Sequence, residues 1–104
     1  MNKKKLKKLR SKLEAYQRSP YGIKSADLAS LAKQLGRERV NQGKEPTYMN
    51  GDYPQWGTLT IPGHSGDLKI GTARSIIDTL LSDADEWEMV LDQDTKQDEE
   101  ADNE

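Results

Sequence analysis

One stretch, IPGHSGDLKIGTARSII, residues 61 to 77, concentrates reactive and cationic side chains around a run of glycines and holds His64, the single histidine of the chain. Gly71 and Thr72 stand where a helical apolar period begins. A helix start presents backbone N–H groups without intrahelical partners, together with the positive end of the helix dipole, and Lys69 and Arg74 flank that position. Lys69, Gly71, Thr72 and Arg74 are therefore the expected phosphate-binding residues. The alternative is that Thr72 caps the helix and the two cations are merely solvated. His64 has no evident orienting partner of the kind a general base needs, which favours a turn residue over a catalyst.

Other chemistries find little support. No nucleotide-binding glycine fingerprint, P-loop, nucleophile elbow or clustered metal ligands occur. The absence of cysteine removes disulfides, thiolate catalysis and Cys-type zinc sites. A lone histidine with scattered carboxylates does not make a metal site. Neither a metal nor a cofactor is expected.

The scaffold around this stretch is limited by a length of 104 residues, a hydrophobic fraction of 33% and a mean hydropathy of -0.98. Those values fit one small domain with a modest core of Leu, Ile, Ala, Tyr and Trp. The formal charge of -2 conceals a strong polarity: residues 1 to 18 carry net +7, residues 19 to 82 net +1, and residues 83 to 104 net -10. A basic head suggests a polyanion partner, and the acidic tail can shield it, compete for it or solubilise the chain. The start, MNKKKLKKLR, lacks the apolar run of a signal peptide, and no stretch of eighteen apolar residues occurs. Neither export nor a membrane contact is expected, and the expected location is cytoplasmic.

Leu6, Leu9, Leu13 and Tyr16 form one helical stripe in a basic helix over residues 3 to 17, which RSPYGI breaks. Residues 1–18 thus read as a basic arm before the domain. Ser25 offers an N-cap to a second helix, with Leu28, Leu31, Ala32 and Leu35 in register and Gly36 as its stop. RERV, PTYM and GTLTI predict three short antiparallel strands between residues 37 and 61. Ala73, Ile76, Ile77, Leu80 and Leu81 predict a further helix ending near Ser82. Asp83 with Glu86 has capping-box spacing for a separate short helix over residues 83–91, carrying Trp87, Val90 and Leu91. From residue 92 to 104 the chain is acidic and without aromatics, which predicts disorder. The fold expected is α+β, with two helices covering one face of a three-stranded antiparallel sheet and extra N-terminal and C-terminal helices.

Two segments carry a family resemblance. IPGHSGDLKIGTARSIIDTLL resembles the C-terminal half of the HicA-type toxins of bacterial toxin–antitoxin pairs, with Leu68-Lys69-Ile70-Gly71-Thr72 its most specific piece, and IKSADLASLAKQLG, residues 23 to 36, resembles the first helix of that family. The resemblance spans residues 23–82. It implies a double-stranded-RNA-binding-domain-like fold, metal-independent endoribonuclease cleavage of mRNA within a type II toxin–antitoxin system, and neutralisation by a HicB-type antitoxin protein. The family's catalytic histidine lies in a Gly-Ser-His motif, at whose place this chain has Gly43, Lys44 and Glu45.

Three readings follow. In the first, a divergent ribonuclease uses Glu45 and Lys44, with His64 converging from the neighbouring turn. In the second, the chain is an RNA-binding domain of the same fold without cleavage. In the third, it is a protein-interaction module without RNA activity. Tyr48, Tyr53 and Trp56 offer stacking surfaces for unpaired bases, although aromatics beside short strands more often pack on the protein itself.

Overall fold

The computed structural model describes residues 1–40, 45–63 and 65–102. Lys44 and His64 therefore lie outside the described residues.

Helix α1, Lys3–Arg18, starts at Asn2, whose side-chain oxygen accepts a hydrogen bond from the Lys5 amide at 2.8 Å. It ends at Ser19, where the following proline disfavours helical backbone. Helix α2 spans Ser25–Gln34. Its cap differs from the expected one: Ser25 is the first helical residue, and its hydroxyl donates to the Pro62 carbonyl instead. Asp27 supplies the end contact by accepting from the Lys24 amide at 3.1 Å. Gly36 stops the helix with φ +95°, a conformation that costs a residue with a Cβ about 1–2 kcal/mol. A Cβ there would also stand 2.9 Å from the Asn50 side-chain nitrogen.

Three strands follow in the order β1 (Arg37–Arg39), β2 (Thr47–Asn50) and β3 (Thr58–Thr60), all antiparallel. The register pairs Arg37 with Asn50 and Arg39 with Tyr48 on one side, and Tyr48 with Leu59 on the other. Strand alternation turns Arg37, Tyr48, Asn50 and Leu59 to the core side, where all four are buried. The buried Asn50 accepts from the Asp52 and Tyr53 amides, shaping the β2–β3 connection, which contains a single 3-10 turn at Pro54–Trp56.

Helix α3 is one continuous element, Ile70–Asp102, and this corrects two expectations. No separate helix begins at Asp83. An N-cap needs non-helical backbone, whereas Leu80, Ala84 and Trp87 continue the inward stripe across that point, and the buried Asp83 side chain bonds across the core. Nor does the chain leave regular structure at Asp92: no glycine or proline interrupts the run, and Asp92 pairs with Lys3 at 3.4 Å.

α1 lies antiparallel along α3. Gln17 reaches Asp78, Arg10 reaches Asp85 and Glu88, and Lys3 reaches Asp92, so successive contacts run in opposite directions along the two helices. Leu6, Leu9 and Leu13 join Leu28, Leu31, Leu59, Ile77 and Leu80 in a single apolar cluster. The basic helix expected as an arm is therefore part of the same core. The architecture is α+β, with three helices and a three-stranded antiparallel sheet.

Candidate nucleic-acid interface

The four residues expected to bind phosphate meet at the start of α3 because the helix begins where its apolar period begins. The Ala73 amide closes the first helical bond onto the Lys69 carbonyl at 2.9 Å. The preceding amides, Ile70, Gly71 and Thr72, have no capping partner among the described residues. Thr72 is half-buried in the third helical position and so is not the cap. Lys69, Gly71 and Arg74 are exposed, and neither cation forms an ion pair among the described residues.

Beside this helix start runs an open groove of about 500 Å³ between β3 and the first turns of α3. Thr58, Thr60, Thr72, Ser75 and Thr79 line it with hydroxyls, and no charged side chain enters it. Such a wall can donate and accept hydrogen bonds along a sugar–phosphate chain without fixing a sequence.

The candidate catalytic residues are positioned only in part. Glu45 is exposed, and its carbonyl accepts from the Thr47 hydroxyl at 3.5 Å. The next residue, Pro46, accepts from the Ile61 amide at 3.0 Å, and a Cβ built on Gly63 would come within 3.3 Å of the Pro46 ring. The Glu45 loop thus adjoins the turn that leads to position 64. The same turn is tied to the start of α2 by the Ser25 hydroxyl on Pro62 and by the Leu68 amide on Ile23, so the Glu45 side and the α3 side flank one anchored segment.

The aromatic side chains do not form a base-stacking platform. Tyr48 is buried, and Tyr53 stacks on Trp56 with centroids 4.5 Å apart. Trp87 meets both edge-on and donates its indole N–H to the Leu35 carbonyl at 2.7 Å. Among the described residues the strands turn Glu38, Thr47, Met49, Thr58 and Thr60 to the outer sheet face, with neither an aromatic ring nor a cation.

The dominant buried polar group escaped the sequence reading. Arg37 is fully buried and uses all five donors: Nε and Nη2 hold the Asp83 carboxylate at 2.6 and 2.9 Å, while Nη1 and Nη2 bond the Tyr48, Gly57 and Trp56 carbonyls. This satisfied hub fixes β1, the β2–β3 connection and α3 relative to one another. A signal was present, since Asp83 falls in the inward stripe of Ile76, Leu80 and Trp87. On the flank of α3, burial disfavours the charge of Arg10, but its hydrogen bond to Asp85 and the negative charges of Glu88, Asp85 and Glu14 outweigh that and raise its pKa.

No protein-family model matches the chain, and neither does any curated protein or solved structure. Among the described residues no group of three or more His, Cys, Asp or Glu could hold a metal, and no helix is long and apolar enough to cross a membrane.

Proposed function

We propose that this chain binds RNA, with a phosphate held at the start of α3 in a HicA-like, double-stranded-RNA-binding-domain-like body. One observation carries the reading: the amides of Ile70, Gly71 and Thr72, uncapped among the described residues, open beside the exposed cations Lys69 and Arg74, which form no ion pair among those residues. Backbone donors, dipole and two cations all favour an anion at the same place. The order of helix, three strands and helix over residues 23 to 82 supports the same fold assignment. A role as toxin, a HicB-type antitoxin partner and a cytoplasmic location belong to this reading.

The expected result is that wild-type protein shifts the anisotropy of a labelled RNA, and that Lys69→Ala with Arg74→Ala weakens binding and lowers its salt dependence by about 1–2 in log–log slope. Retention of full affinity by that double variant overturns the site. A second reading, metal-independent cleavage, is favoured by the packing of Pro46 against Gly63, which sets Glu45 beside the turn leading to residue 64. There Glu45 accepts the proton of a ribose 2'-hydroxyl, the oxygen attacks the adjacent phosphorus, and the 5'-oxygen leaves with a proton from water. Cleavage in chelator that disappears in Glu45→Ala supports it. Binding without cleavage in the wild type leaves the chain a binding domain.

A further inference from the structure

α1 sorts its cations into two sets. Lys3 and Arg10 turn toward α3 and are held by Asp92, Asp85 and Glu88. Lys4, Lys5, Lys7, Lys8 and Lys12 are exposed and form no ion pair among the described residues. Lys4, Lys8 and Lys12 succeed one another at four-residue steps, giving a stripe about 12 Å long on the side away from α3. Lys4, Lys7, Lys8 and Ser11 border a shallow depression along it.

This arrangement works against the helix that carries it. Like charges four residues apart repel on a helix surface, and Lys4 and Lys5 stand beside Lys3 in the first turn, where the dipole disfavours cations, the turn itself holds no acidic residue, and among the described residues Lys3 alone of the three has a carboxylate partner. Among the described residues no carboxylate pairs with the outer stripe, which leaves its charge open to a partner.

We infer that the Lys4–Lys8–Lys12 face of α1 is a second contact surface for the sugar–phosphate backbone of the RNA, presented rigidly because Leu6, Leu9 and Leu13 anchor the opposite side of the helix in the core. The choice of partner rests on the RNA reading above and on the face itself. A membrane-surface helix needs a free apolar side to insert, and here that side is buried. A protein interface needs apolar or aromatic anchors, whereas this face offers lysines with Ser11 and Ala15. Backbone recognition of nucleic acid needs only a row of cations.

The test is a titration of a labelled RNA duplex by the full chain across about 50–200 mM salt, comparing wild type, Lys4→Ala/Lys8→Ala/Lys12→Ala, the matching triple Arg variant and Lys69→Ala/Arg74→Ala. The triple Ala variant is expected to lower the log–log salt slope by about 2–3 while its thermal midpoint holds or rises, and the triple Arg variant to keep the slope. An unchanged slope in the triple Ala variant overturns the inference. If Lys69→Ala/Arg74→Ala still weakens binding in that case, the α3 site stands alone. A lowered slope in the triple variant with no effect of Lys69→Ala/Arg74→Ala retains the α1 surface and removes the α3 site. No binding of wild type to the duplex removes both.

Discussion

Arg37 shows what a single residue can fix in so small a core. Two charges out of water are tolerable only when every donor and acceptor is satisfied, and the bidentate grip on Asp83 with three carbonyls does this. Removing one partner leaves the other charge buried and alone. Asp83→Ala and Arg37→Met are each expected to cost about 3–5 kcal/mol in urea unfolding, and Arg37→Met with Asp83→Leu distinctly less than the sum. Additive losses would show that the pair is not coupled. The helix start at Lys69, Gly71 and Thr72 was legible in the sequence because a helix boundary is written in neighbouring residues. The Arg37–Asp83 bond was not, because it joins residues 46 positions apart, one of which reads as part of a short strand and the other as a helix cap.

At the scale of elements, the stripe of Leu6, Leu9 and Leu13 was visible in the sequence, but its destination was not. Amphipathicity says that a face is buried, not what buries it. The charge asymmetry between the ends of the chain held the missing clue, since Lys3 and Arg10 meet Asp92, Asp85 and Glu88 along the α1–α3 seam. The break expected at Asp83 failed for a related reason: capping-box spacing also occurs inside a helix whose inward stripe runs on. Because Leu13 is fully buried in the common cluster, Leu13→Ala is expected to destabilise the whole protein by about 2–5 kcal/mol in one cooperative transition. A separate early melt of α1, with the rest unchanged, would instead mark it as an appended arm.

As a whole the molecule is long and thin, 55 × 30 × 16 Å, with a radius of gyration of 15.3 Å against the roughly 13 Å usual for a compact chain of about 100 residues. Helix α3 produces the elongation by running on past its contacts with α1. Among the described residues, Leu91 is the last to pack on the core and Asp92 the last to pair with α1. Removing residues 93–104 is therefore expected to shift unfolding free energy by no more than about 0.5 kcal/mol while reducing the radius of gyration measured by X-ray scattering. A large fall in thermal midpoint would show that the acidic end supports the fold.

The aromatic trio has an optical consequence. The chain has two tryptophans, Trp56 from the β2–β3 connection and Trp87 from α3, and they stand 5.5 Å apart with Tyr53 against both. Intrinsic emission therefore samples one spot of the molecule, the junction of sheet and long helix. Its colour and quenching report whether that junction is closed, while the lysine stripe on α1 and the start of α3 carry no tryptophan. Folding and ligand binding can thus be followed in separate channels of the same unlabelled protein.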